Sequence, residues 1–237
     1  MLQAVLPQNL TLVQQISAWL LPVLLAITVH EVAHGWTARL FGDRTAEKLG
    51  RLSLNPLRHV DPVGTVLIPG LMLLMPGGFV FGWAKPVPVD WRNLRHPKQD
   101  MVWVAAAGPA VNLLMAVGWA LIARIALGLP ADNGVALPLL LMGVAGMLIN
   151  TILAVLNMLP LPPLDGGRVL TGLLPTRYAI PFARIEPYGF WILIFLLMTG
   201  SLGWLMRPMM NAVLSILVST AGMRVWDFNR LLDALMS

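Results

Sequence analysis

The chain has 237 residues, of which 57% are hydrophobic and only 11% charged, with a formal net charge of +5. A soluble domain carries about a quarter charged residues, so this composition excludes an ordinary soluble globule. There is no cysteine, which excludes disulfides and thiolate ligands and leaves His and carboxylates to hold any metal.

The apolar residues fall into several blocks, predicting a multi-pass membrane protein. No stretch between blocks is long enough for a separate soluble domain. The N-terminus lacks the basic region of a signal peptide. The expectation is one integral membrane domain over 1–237.

The first predicted span covers about 12–41. No charged side chain precedes Glu31, and His30-Glu31-Val32-Ala33-His34 lies in its second half. Pro22 is expected to loosen that helix upstream. Residues 42–62 are polar and rich in turn formers. The apolar stretch 62–76 is too short, at about 1.5 Å per residue, to cross a core of about 30 Å as a helix; it reads as re-entrant or interfacial. Residues 77–90 read as extended. A second span is expected at 101–127 and a third at 135–159, ended by Pro160-Leu161-Pro162-Pro163. A fourth follows at 188–206, with a shorter apolar segment at 209–221 paired to it. The fold class is therefore an all-α polytopic membrane protein. It has a three-helix catalytic core at about 12–175, C-terminal membrane segments at about 186–222, and a small membrane-associated β-like or re-entrant region.

Charge orients the chain. Nine basic residues lie between Arg39 and Lys98, none in 128–134, and Arg168, Arg177 and Arg184 follow the third span. Basic loops stay cytoplasmic, so the first and third spans are expected to end there. A full crossing by 62–76 would put 85–98 outside, which favours the re-entrant path. The basic residues sit beside apolar segments. They read as topology signals and contacts to anionic lipid, not as a nucleic-acid surface.

Ionisable groups at bilayer depth point to function. Residues four apart share a helix face, so His30 and His34 can ligate one ion, with Glu31 beside them to hold and deprotonate a zinc-bound water. A lone intramembrane histidine more often joins helices, but two His and a Glu at this spacing are hard to explain that way.

A catalytic zinc needs a third protein ligand. Asp165 follows the prolines that end the third span, and precedes Gly166 and Gly167. Taken alone, Asp-Gly reads as a turn or cap. With the paired histidines at the same membrane side, it reads as the ligand. Glu47, His59, Asp61 and His96 are weaker rivals: Glu47 on a polar loop, Asp61 at a turn, the two histidines solvated or lipid-facing. Asn157 in the third span and Asn112 in the second, after Gly108-Pro109, either join helices or face a substrate backbone or oxyanion.

HEVAH (30–34), GPAVN (108–112) and NMLPLPPLDGGR (157–168) together resemble the site-2 protease family of intramembrane zinc metalloproteases. FGWAKPVPV (81–89) resembles its compact subgroup, which lacks PDZ and CBS domains. The resemblance implies one Zn2+ per chain held by His30, His34 and Asp165, with Glu31 as base. It associates the position of Asn157 with substrate handling. It implies that 79–89 forms a β-like edge that holds an unwound substrate by strand addition.

The expected activity is hydrolysis of peptide bonds in or near a transmembrane segment of another membrane protein. The expected location is a prokaryotic inner membrane, with the active site toward the cytoplasm. A zinc-binding membrane chaperone or scaffold of the same fold, cleaving nothing, is the alternative; an intact Glu31 argues against it. A transporter would more often show paired repeats, and none is found.

Overall fold

The structure, a computed structural model, describes residues 10–67, 71, 84–130 and 132–236. Its helices, in chain order, are α1 Leu12–Leu40, α2 Thr45–Lys48, α3 Pro97–Gly128, α4 Ala136–Asn157, α5 Asp165–Leu173, α6 Thr176–Ala183, α7 Glu186–Met198, α8 Ser201–Thr220 and α9 Val225–Met236. Four of them, α1, α3, α4 and α8, are long and apolar enough to cross a membrane. The chain is an all-α polytopic membrane protein.

α1 begins at a capping box, in which Thr11 and Gln14 satisfy each other's backbone donors. Pro22 lies buried within it, and the helix runs on through to Leu40. α1, α3 and α4 pack on one another as the core. Asp165, just past the end of α4, reaches His34 near the end of α1, so these two helices finish at the same end of the bundle. α3 runs the other way.

Small residues let α3 and α4 approach closely. Ala116, Ala120 and Ala123 of α3 are fully buried. A Cβ on Gly143 would lie 2.7 Å from the Ala123 Cβ, and one on Gly146 would lie 2.2 Å from the Trp119 ring. Between membrane helices such contact supplies packing that the lipid cannot.

The C-terminal third departs from the expectation. The spans expected at 188–206 and 209–221 are replaced by α7, α8 and a break between them at Thr199 and Gly200. Gly200 has φ of 72°, a left-handed conformation that ends one helix and starts the next. Of the two helices, α8 is by itself long and apolar enough to cross a membrane. It absorbs the segment read as separate, and it carries Pro208 inside. α7 and α6 form a pair bent by 63°. α9 was not expected; it packs Phe228, Leu231 and Leu235 against the far end of the core.

The expected re-entrant and β-like region falls largely on 68–70 and 72–83, outside the described residues. Of its flanks, Pro62–Leu67 is a wide helical turn, and 84–90 is non-helical. There is no strand among the described residues.

Asp43 fastens 84–93 to the end of α1. It is buried and accepts from the Thr45 amide at 3.0 Å, the Thr45 hydroxyl at 2.5 Å, the Asp90 amide at 2.8 Å and the Asn93 side-chain amide at 3.1 Å. Burial opposes its charge, but these donors outweigh that and hold the carboxyl below its ordinary value.

Two outcomes follow from this packing. Gly146→Ala must displace the Trp119 ring, so it should destabilise the protein by roughly 1–3 kcal/mol; an unchanged melting temperature in detergent would contradict the close packing. For Asp43 the folded pKa is lowered, so its contribution is complete above the ordinary carboxylate value and lost as pH falls through the folded one. The melting advantage of wild type over Asp43→Asn should therefore be largest near neutral pH and shrink in acid. A constant gap would reject the charged network.

Candidate metal centre

His30 and His34 lie one turn apart on α1, with ring centroids 4.7 Å apart and ring planes at 84°. Their Nε2 atoms are 3.0 Å apart, and stand 3.2 and 3.3 Å from Oδ2 of Asp165. Among the described residues this is the one group of three His, Cys, Asp or Glu side chains able to share an ion.

The imidazole protons can be placed by their other contacts. Nδ1 of His34 lies 2.7 Å from the Val104 carbonyl, which can only accept, so that nitrogen carries the proton. Nδ1 of His30 lies 2.5 Å from Oδ1 of Asn112, and the same assignment holds. Both Nε2 atoms then present lone pairs, as does Asp165 Oδ2, which is buried and accepts no hydrogen bond.

Three acceptors thus converge with no donor among them, an arrangement that repels itself until a cation sits between. Zinc–nitrogen bonds of about 2.0–2.1 Å at tetrahedral angles separate ligand atoms by about 3.3 Å. The observed triangle has that size, so the residues present fit a zinc ion.

Local sequence explains the closeness. A Cβ on Gly108 would fall 2.4 Å from His34 Nε2 and 2.6 Å from His30 Cε1, so only glycine lets α3 pass beneath the two rings. Asp165 is the first residue of α5, after a loop folded on itself by Leu161→Leu159 and Leu164→Leu161 amide-to-carbonyl bonds of 2.8 and 2.9 Å. Added Cβ atoms on Gly166 and Gly167 would lie 2.3 Å from the Met158 carbonyl oxygen and the Pro162 nitrogen. A Cβ added on Gly189 of α7 would come closer still to the Pro162 carbonyl oxygen, at 1.7 Å, so α7 rests on the loop that carries Asp165.

Glu31 projects beside the histidines toward 84–90, where its Oε2 accepts from the Val87 amide at 2.7 Å. Val87 stands between two prolines, so it offers the one backbone donor between Lys85 and Val89. The Lys85 amide bonds to the His59 carbonyl at 2.9 Å, and Arg51 donates to the Lys85 carbonyl at 3.0 Å. The extended stretch is thereby fixed along α1.

Of the two roles expected for Asn112, its contacts are those of an amide that joins helices. It is wholly enclosed; besides the His30 contact, its amide donates to the Ala26 carbonyl at 3.2 Å and to Asn150 Oδ1 at 2.9 Å. Asn157 is half-buried and donates to the Leu153 carbonyl of its own helix at 3.0 Å.

The rival ligands lie elsewhere. Glu47 pairs with Arg39 at 3.1 Å. Asp61 accepts from the Val63 and Gly64 amides at 3.0 and 2.7 Å. His96 precedes the first turn of α3. His59, expected at a solvated or lipid-facing position, is instead 2% exposed, with Nε2 2.8 Å from the Ser53 carbonyl. Sequence reasoning missed the Val104 carbonyl, which no side-chain pattern reveals. It also missed Asn150, whose one signal was its position seven residues before Asn157 on the same helix.

Known proteins agree with this geometry. The model of peptidase family M50 matches residues 18–132 and 125–200. The provisionally named zinc metalloprotease YwhC of Bacillus subtilis is 38% identical over 80% of this chain and 84% of its own length. The provisionally named zinc metalloprotease Rip2 of Mycolicibacterium smegmatis is 34% identical over 90% of this chain and 80% of its own; Rip2 of Mycobacterium tuberculosis is 32% identical over 81% and 70%. No solved structure matches at a comparable level. With its core helices and all three candidate ligands inside the matched residues, the chain belongs to peptidase family M50, the site-2 protease family, and is a membrane zinc metalloprotease.

Proposed function

We propose that this protein is an intramembrane endopeptidase that cuts peptide bonds in or near the transmembrane segments of other membrane proteins. One observation carries the reading. The three convergent acceptors of His30, His34 and Asp165 are buried in a bundle whose helices suit a bilayer, with a carboxylate, Glu31, next to the first of them. A substrate reaching them would come from the membrane itself.

His30, His34 and Asp165 would hold the zinc, which when bound supplies a Lewis acid that acidifies water and polarises a carbonyl. Glu31 takes the proton from the attacking water and delivers it to the leaving amine nitrogen. The Val104 carbonyl and Asn112 hold the two imidazoles with Nε2 bare toward the ligand point. Asn112 is thereby a positioning residue. Asn157, at the end of α4 next to the loop that carries Asp165, remains the candidate for contact with substrate.

A peptide bond in a helix is shielded by its own hydrogen bonds, so a substrate must be locally extended to be cut. The non-helical stretch 84–90, held beside Glu31, supports capture of an extended chain by strand addition.

Chain orientation follows from charge. Nine basic residues lie between Arg39 and Lys98, and Arg168, Arg177 and Arg184 follow the third span, against Arg124, Arg224 and Arg230 toward the other end. By the positive-inside rule the metal end faces the cytoplasm of a prokaryotic cell. The whole chain acts as one membrane domain, with catalysis in 12–175.

Purified wild type should contain about one zinc per chain. Glu31→Gln should keep the metal and lose at least about a hundredfold in cleavage rate, measured on a panel of membrane-protein substrates. Undiminished cleavage by that variant would sink the mechanism. An inactive wild type that binds zinc would favour the scaffold alternative. Asp165→Ala should strip the zinc, and full occupancy would remove Asp165 from the ligand set.

Because the chain has no cysteine, Leu54→Cys and Asn133→Cys give single labels at opposite ends. In intact cells an impermeant thiol reagent should label position 133 and spare 54; the reverse pattern would invert the proposed orientation.

A further inference from the structure

The buried amide of Asn150 lies one step behind Asn112 and belongs to no motif described above. It is 0% exposed, as is Asn112. Its Nδ2 lies 2.9 Å from the Gly146 carbonyl, and its Oδ1 accepts from Asn112 Nδ2 at 2.9 Å.

A primary amide can sit either way round, and the two ways have opposite consequences for a neighbouring histidine. Backbone carbonyls remove the ambiguity because they only accept. The Gly146 carbonyl requires the NH2 end of Asn150 to face it, so the oxygen end faces Asn112. That oxygen and the Ala26 carbonyl, 3.2 Å away, both require the NH2 end of Asn112. Its oxygen is then left for His30 Nδ1, at 2.5 Å. An oxygen there fixes the imidazole proton on Nδ1 and leaves Nε2 bare. Were Asn112 reversed, its NH2 would face Nδ1, the proton would move to Nε2, and His30 could not ligate.

We infer that Asn150 is a positioning residue for the metal centre. Through Asn112, it selects the tautomer of His30 that binds zinc. This rests on the zinc-site reading of His30, His34 and Asp165. A purely structural reading of Asn150 predicts a different result, because a helix-joining amide acts on stability and not through Asn112.

Asn150→Leu keeps the volume and removes the acceptor. Asn150→Asp keeps the shape and the acceptor, and when held neutral by burial it also keeps a donor for Gly146. The proteins are purified in detergent, and zinc affinity is read by competition with a chromophoric chelator. Wild type, both Asn150 variants, Asn112→Ala and the Asn112→Ala, Asn150→Leu double variant are compared.

Asn150→Leu should weaken zinc binding about tenfold, the lower range for a group that orients a ligand. Asn150→Asp should bind like wild type. In the Asn112→Ala background Asn150→Leu should weaken binding no further, since its route to His30 is already gone. The visible spectrum of the cobalt-substituted protein should shift in Asn150→Leu and not in Asn150→Asp.

Wild-type affinity in Asn150→Leu, or a further loss on top of Asn112→Ala, would overturn the inference while leaving the zinc site standing. Absence of zinc binding by wild type would instead overturn the site reading and this inference with it. Should Asn150→Leu not fold, Asn150→Ala takes its place: a tenfold loss supports the inference, and wild-type affinity rejects it.

Discussion

Three lone pairs held within 3.3 Å of one another, away from water, are the constraint on which the rest of the fold depends. In water such an arrangement would relax by rotating a side chain or recruiting a solvent proton. Here rotation is blocked. Each Nδ1 is committed to an acceptor, and Asp165 is pinned at the start of a helix. The polypeptide holds a geometry that is unfavourable for the polypeptide alone, and only a cation makes it favourable. The buried carboxylate and two imidazoles, with the Asp165 Oδ2 within 3.3 Å of both Nε2 atoms, are sized as a coordination shell.

Holding those atoms together dictates where the helices go, and glycine marks each place where the approach is tightest. Gly108 gives the two rings their room. Gly143 and Gly146 bring α4 against α3, which sets the depth of Asn150 and hence its reach to Asn112. Gly166 and Gly167 fold the loop back so that Asp165 points into the bundle. These glycines are conformationally ordinary; none has the positive φ seen at Gly200. Their common property is the missing side chain. In lipid, where apolar surface is no driving force for association, such contact is what keeps the helices in register.

The parts of the fold legible in the sequence were those written in side-chain chemistry. The first three spans follow from long apolar runs, and His30, His34 and Asp165 from residue types that are expensive in a membrane. The C-terminal third was misread because hydropathy is blind to direction. The run from Tyr188 to Met206 is apolar on both sides of Gly200, so one left-handed glycine turned one expected span into two helices. Contacts to main-chain carbonyls were illegible for a related reason. Val104 serves His34 through an atom that every residue possesses, and Gly146 serves Asn150 in the same way. Asn112 was noticed as a helix joiner or a substrate contact, but its bond to His30 was not, because a sequence does not say which way an amide faces.

Glu31, the proposed base, is tied to a different part of the chain than the proposed metal ligands are. The imidazoles take their orientation from α3 and, through Asn112, from α4, all inside the bundle. Glu31 takes its orientation from the amide of Val87, on a stretch fastened by Arg51 and His59 at one end and by Asp43 at the other. Those fastenings lie outside the predicted spans, among polar residues. Metal affinity thus depends on the packing of buried helices, whereas the placement of the base depends on a network of loop hydrogen bonds at the bundle's end. Under the proposed capture of an extended peptide by the 84–90 stretch, substrate and Glu31 would share one strip of backbone, because the Val87 amide on that stretch is what holds the carboxylate.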